Sequence, residues 1–200
     1  MIPTRLPPSK VHNNLMRVMG VDPGISHTGY GIVESSTRGA LVHVASGGIV
    51  TSSQMPFVQR LQRIYGELED SIKRYSPDSL AIEEVFFAKN PRAALLLGHA
   101  RGVILLCAGM SGIPVYEYSA TAIKTALCRF GRASKEQVTS MVKVLLHLDR
   151  SLPTHDADAL AACICHIHTQ GTSHRVHGTR SASSRQADSR RVSHSLSREE

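Results

Sequence analysis

The sequence predicts an α/β domain, a mixed sheet flanked by helices, and three observations carry that prediction. Before Thr51, short β-rich runs separated by glycine-containing turns have the pattern of an antiparallel meander. Two further short apolar runs, at 80–85 and 114–118, alternate with segments of helical periodicity, the order expected of a mixed sheet with helices packed on it. The 200 residues are 42% hydrophobic and 20% charged, enough for one ordinary core.

Residues 1–15 combine Pro3, Pro7 and Pro8 with polar residues and lack periodicity, so they read as a disordered N-terminal extension with Met16 as the natural start. Val18-Met19-Gly20-Val21 forms a strand ending at Asp22, which Pro23 keeps extended because its ring disfavours a helical preceding residue. Gly24, Gly29 and Gly31 punctuate the turn into a second strand at 30–34, and 41–50 supplies a third. Pro56 opens a helix to about Tyr75. Its apolar face carries Phe57, Leu61, Ile64, Tyr65, Leu68 and Ile72, and its polar face Arg60, Arg63, Glu67 and Asp70.

The strand at 80–85 ends in carboxylates, as the first does. A helix over 91–110 is apolar on nearly every face, so it is expected to be covered on both sides by sheet, by other helices or by a second subunit. After a strand at 114–118, Ser119 or Thr121 caps a helix to about Leu127, a glycine-containing loop leads to a helix over 134–147, and Pro153-Thr154 opens a last helix to about His168. The folded domain is thus 16–170. Residues 171–200, mostly Ser, Arg, His and Gly, read as a disordered basic tail.

The net charge of +7 suggests nucleic acid until it is divided along the chain. Arg5, Lys10 and Arg17 face no acid before Val18, and six arginines face three acids after Gln170, so the middle is nearly neutral and any DNA affinity there must come from local patches. No apolar run approaches the roughly 18 residues of a membrane span; the most apolar stretch, 93–110, is interrupted by His99 and Arg101. With no secretory h-region either, a cytoplasmic protein without a membrane role is expected. Cys107, Cys128, Cys163 and Cys165 have no loop-rich disulfide spacing and are expected to be reduced thiols.

Asp22, Glu83 and Asp158 stand where a regular element ends or opens and an apolar residue would be ordinary. Each alone reads as a cap or a surface ion pair. Together at neighbouring strand tips they would repel, because like charges a few Å apart cannot all stay ionised, and a bound cation resolves the conflict. On the last helix, residues 155 and 158 share a face at i,i+3 whereas 156 and 158 point nearly opposite ways, so His155 joins Asp158. Oxygen-rich donors suit Mg²⁺, and paired ions suit phosphodiester hydrolysis.

Gly20-Val21-Asp22-Pro23-Gly24 with Thr28-Gly29-Tyr30-Gly31, then Ala81-Ile82-Glu83-Glu84-Val85-Phe86 with Ala88-Lys89-Asn90, then Gly98 to Gly102, and Asp158-Ala159-Leu160-Ala161 resemble the RuvC family of Holliday-junction resolvases. The similarity runs from about Arg17 to His168. It implies an RNase H-like fold, a homodimer, and two Mg²⁺ ions per subunit, replaceable by Mn²⁺, held by Asp22, Glu83, His155 and Asp158 as the catalytic set. The implied substrate is four-way junction DNA, cut by paired symmetric nicks to leave 5′-phosphate and 3′-hydroxyl ends, and the implied partners are the branch-migration proteins RuvA and RuvB. Many members of the family carry aspartate at the position of His155, and histidine also occurs there.

Phe86 and Phe87 follow the catalytic strand in a chain with 4% aromatic residues. Core packing is one reading and stacking on junction bases another; the resemblance favours stacking for Phe86 and leaves Phe87 even. Lys124, Arg129, Arg132 and Lys135 form the densest basic stretch of the folded part, either a solvated face or phosphate contacts, and the resemblance assigns Lys124 and Lys135 to the junction. Lys89, Asn90 and Arg92 are expected to act likewise. Cys163, Cys165, His166 and His168 lie on diverging helix faces that cannot meet at one zinc ion. The resemblance tips the 91–110 helix towards the dimer interface.

Other classes compete. Asp22-Pro23-Gly24 before a glycine-rich hairpin also resembles the phosphate-binding turn of actin-like kinases, which need a second lobe. A related RNase H-fold nuclease on other nucleic acids, or a junction-binding protein with weak catalysis, are the nearer alternatives. Because imidazoles titrate where carboxylates do not, activity is expected to fall more steeply below about pH 6.5 in this chain than in His155→Asp. Superimposable pH–rate profiles would contradict a role for the imidazole.

Overall fold

The computed structural model describes residues 15–36, 39–84 and 90–183, with side chains to Gln170. The expected extension before Leu15, the tail beyond Ser183, and Phe86, Phe87 and Lys89 lie outside the described residues. The strands are β1 (Met16–Asp22), β2 (His27–Ser35), β3 (Leu41–Val50), β4 (Ser79–Glu83) and β5 (Val115–Tyr118), and the helices α1 (Phe57–Tyr75), α2 (Pro91–Met110), α3 (Ala120–Cys128), α4 (Lys135–Leu145) and α5 (Thr154–Ser183). They form one sheet in the order β3-β2-β1-β4-β5, antiparallel across the meander and parallel from β1 through β4 to β5. The α/β class with a mixed sheet is the observed one.

Strand alternation sorts the core into two layers. Met19, Val21, Ile32, Leu80 and Ile82 face α1 and α2, where Ile64, Leu68, Ile104 and Cys107 are buried with them. Val18, Val33 and Ala81 face the other way, beneath α5 and its neighbours α3 and α4. By the same parity Gly20 and Asp22 of β1, and Ser79 and Glu83 of β4, point to the α5 side. A side chain at Gly20 would run into the Ala159 carbonyl, and one at Gly29 into the His155 carbonyl, so α5 rests directly on strand backbone.

Helix ends follow local chemistry. Ser119 accepts from Ala122 N–H at 3.2 Å to cap α3, and Ser134 with Gln137 closes a reciprocal capping box on α4. Asn90 accepts from Arg92 N–H at 3.0 Å, with Pro91 opening α2.

Several details differ from the sequence expectation. Arg60 is buried rather than on a polar face: its Nε donates to Thr51 Oγ1 at 2.9 Å and its Nη2 to Ser26 Oγ at 3.0 Å, clamping the loop after Asp22. Among the described residues α2 is covered on one side only. Ala100, Ile104, Cys107 and Ala108 are buried while Leu95, Leu106 and Met110 are 63%, 58% and 72% exposed. By length and composition alone α2 is apolar enough to span a membrane, contrary to the expectation for 93–110; Arg101 ties it to the sheet instead, donating to the Glu83 carbonyl at 3.2 Å and pairing with Glu117. The backbone of α5 continues to Ser183, past the expected end near His168, because a helix nucleated on a buried segment extends by one hydrogen bond per residue. The strand expected to reach 85 ends at Glu83, and Glu84 N–H donates to the Tyr118 carbonyl at 2.9 Å.

His166 and Cys163 are structural. Cys163 Sγ lies 3.4 Å from the Val18 carbonyl and 3.3 Å from that of Gly31. All four cysteines are free thiols. His166, fully buried, meets Ser79 Oγ at 3.1 Å through Nε2 and the Tyr118 hydroxyl at 2.7 Å through Nδ1, joining α5 to β4 and β5. Burial lowers the His166 pKa from 6.5 and pushes that of Tyr118 up to about 12. A histidine kept neutral in the native state stabilises the fold fully above its unfolded pKa; stability is lost as pH falls below 6.5 towards the lower native value, because the unfolded chain binds the proton first. Melting temperature should therefore fall less between about pH 7.5 and 5.5 in His166→Gln than in the parent chain, and parallel curves would show that His166 does not carry this dependence.

Candidate active site

The parallel pairing of β1 with β4 sets Val21 opposite Ile82, so Asp22 and Glu83 emerge side by side at the carboxyl ends of neighbouring strands, on the α5 face. Pro23 ends β1 at once. The loop that follows is tied by Thr28 Oγ1 donating to the Gly24 carbonyl at 2.7 Å and by Arg60. The first turn of α5 then lies over the strand tips. His155 Nδ1 is 2.7 Å from Asp22 Oδ2, and Asp158 Oδ2 is 2.7 Å from Lys135 Nζ at the start of α4. Asp22, Glu83, His155 and Asp158 are brought to one place from three distant stretches of chain.

Electrostatics make the cluster costly as it stands. Burial raises the Asp22 pKa; the hydrogen bond from His155 opposes this, and the Asp158 charge adds to it. Burial likewise raises Glu83, reinforced by Asp22 and Asp158 and opposed by Lys135 and Lys124. Both lysines singled out from the basic stretch therefore stand close enough to the carboxylates to offset their charge. The Lys135–Asp158 pair is half exposed, a class of contact worth about 0–1 kcal/mol, and is readily exchanged for another partner.

The donor chemistry fits a hard divalent cation: three carboxylates and one imidazole at a partly open edge, where Asp22 and Glu83 hold their protons more tightly than usual. Among the described residues no three His, Cys, Asp or Glu side chains stand together at ligating distances; Asp158 pairs with Lys135, and Asp22 with His155. Asp156 is not among the charges that act on Asp22 or Glu83. It is buried, and its pKa is raised by that burial against the fields of His27, Arg150, His155 and His43.

Of the other residues singled out in the sequence, Asn90 serves as the α2 cap, Arg92 is exposed beside it, and Arg129 closes α3 in a left-handed conformation with φ 69°. Phe86, Phe87 and Lys89 fall outside the described residues, directly after the strand that carries Glu83. His27, which sequence reasoning passed over, stacks on His155 with ring centroids 4.3 Å apart. A lone histidine between Ser26 and Thr28 carries no local signal; only the strand-to-helix approach reveals it.

Residues 18–166 match the family described as crossover junction endodeoxyribonuclease RuvC. The protein of that name from Pelotomaculum thermopropionicum is 52% identical over 155 residues, covering 76% of this chain and 93% of its own length. That from Geobacter sulfurreducens is 46% identical over 154 residues, covering 77% and 93%. Among solved structures, Thermus thermophilus RuvC in complex with Holliday junction substrate shares 35% identity and superposes with a TM-score of 0.75, covering 79% of this chain and 96% of that one. Another structure of Thermus thermophilus RuvC gives 0.74 at 35% identity, covering 79% and 97%.

Proposed function

Because the chain belongs to the RuvC family of crossover junction endodeoxyribonucleases, we propose that it resolves Holliday junctions by paired, metal-dependent hydrolysis of symmetrically placed strands, in recombination and repair. The observation that supports this most is the meeting of Asp22, Glu83, His155 and Asp158 at one strand-tip edge with Lys124 and Lys135 beside them. A purely structural set of caps or ion pairs gives no reason for three acids to share a partly buried corner.

Asp22, Glu83, His155 and Asp158 would hold the metal, two Mg²⁺ ions per subunit with Mn²⁺ as a substitute. Divalent ions held there would supply charge neutralisation at the scissile phosphate and activation of water for a hydrolysis that leaves 5′-phosphate and 3′-hydroxyl ends. The chain's own groups prepare the corner. Asp22 and Glu83 must release any proton before they can act as ligands, and their raised pKa values make that release harder in acid. Lys135 leaves Asp158 for a phosphate oxygen, and Lys124 takes another; both fix the position of the DNA strand without reading its sequence. Phe86 and Phe87 would stack on bases opened at the crossover, and Lys89, Asn90 and Arg92 would add contacts to the phosphate backbone.

Two cuts on a two-fold symmetric junction call for two sites related by a two-fold axis, and a homodimer supplies them. The exposed α2 face of Leu95, Leu106 and Met110 is the surface suited to that contact. RuvA and RuvB are the proposed partners, and the cytoplasm the proposed setting.

The test is cleavage of a synthetic mobile four-way junction against linear duplex in Mg²⁺ or Mn²⁺. The parent should make paired symmetric nicks in the junction alone. Asp22→Asn should bind the junction and cut it on the order of a hundredfold or more slowly, since even outer partners of metal ligands are worth 10–100-fold. Equal cutting of duplex, or an unchanged rate in Asp22→Asn, would overturn the assignment.

A further inference from the structure

The alternation that turns Asp22 towards α5 does the same for His27, the first residue of β2, which shares a face with Gly29, Gly31 and Val33. Its ring lies against the ring of His155, centroids 4.3 Å apart and planes inclined by 22°. The Nε2 edge of the ring lies against the bare backbone of Gly48 in β3. A Cβ at that position would strike the His27 ring, and the three nearest atoms it would meet all belong to His27. The His27 Nε2 is buried with no hydrogen-bond partner among the described residues.

The field of His27 acts on buried Asp156, but Nε2 makes no hydrogen bond among the described residues, and what His27 presents to His155 is its ring face. A buried polar nitrogen left without a partner costs stability, and a residue of polar character with an unused polar atom needs another reason to be there. The ring face offers one. His155 sits in the first turn of α5 with its side chain 43% exposed, held to Asp22 by a single hydrogen bond. One bond leaves an exposed imidazole free to swing about its side-chain torsions, whereas a stacked ring beneath it fixes the plane in which both nitrogens lie.

We propose that His27 is a positioning residue for His155: its ring, bounded at the Nε2 edge by Gly48, stacks on the His155 imidazole and fixes its plane against Asp22. The inference rests on the reading of His155 as a member of the active site.

The test uses the full chain as His27→Ala, His27→Phe, Gly48→Ala and His155→Ala. Readouts are the His155 ring signals in the NMR spectrum of the metal-free protein, and kcat and KM for junction cleavage. Loss of the neighbouring ring current should shift the His155 ring protons in His27→Ala, and kcat should fall roughly tenfold to a hundredfold with KM within about twofold, as expected for a misplaced group rather than lost binding. His27→Phe keeps a flat ring and lacks the nitrogens, so it should restore the stacking shift and most of the rate. Gly48→Ala, which displaces the ring without changing it, should reproduce the loss; it also serves if His27→Ala does not fold.

Unchanged His155 signals and kcat in His27→Ala overturn the proposal. So does a His27→Phe variant that folds with the parent's melting temperature yet cleaves as poorly as His27→Ala, because the nitrogens and not the ring face would then be what matters. Parent-like cleavage by His155→Ala would defeat the reading of His155 itself; an inactive His155→Ala beside a fully active His27→Ala defeats the positioning role alone.

Discussion

The close seating of α5 on the backbone of β1 and β2 governs the rest of the structure. Gly20 and Gly29 leave no side chain between helix and sheet, so the Ala159 and His155 carbonyls lie almost on the strands. Any larger residue would lift the helix by the thickness of a methyl group or more, and with it His155 and Asp158. Farther along, the Cys163 sulfur meets the carbonyls of Val18 and Gly31, and buried His166 bonds to Ser79 and Tyr118, so the helix is held along its buried length. The first turn is thereby fixed over the ends of β1 and β4.

That seating has an electrostatic consequence. Asp22 and Glu83 point the same way from adjacent parallel strands, and the helix delivers Asp158 to the same corner. Folding without a cation leaves three acids to be offset by two lysines and one imidazole, and the offset is incomplete: burial and mutual repulsion hold Asp22 and Glu83 above the ordinary carboxylate range. A corner of this kind is poor for stability and suited to attracting divalent ions. The fold tolerates it because two apolar layers on either side of the sheet supply the cohesion.

Much of this could be read in the sequence because it depends on local periodicity. Strand period two sets Asp22 on the same face as Gly20 and Glu83 on the same face as Ala81, and the i,i+3 relation of His155 to Asp158 separates them from Asp156. What could not be read depends on tertiary neighbours. A helical wheel puts Arg60 with the polar residues and cannot know that Ser26 and Thr51 wait for its guanidinium. The uniform apolarity of 91–110 cannot say which face meets the sheet and which stays exposed. His27 is silent in sequence because its significance lies in a ring placed above it by a segment more than a hundred residues away.

We propose that the corner formed by β1, β4 and α5 takes divalent cations in place of the Lys135–Asp158 contact. The most direct measurement is anomalous diffraction from crystals of the full chain soaked in Mn²⁺. Anomalous density bounded by Asp22, Glu83, His155 and Asp158 is expected, with the Lys135 ammonium withdrawn from Asp158. Density confined to other acids, with the Lys135–Asp158 pair intact, would contradict it.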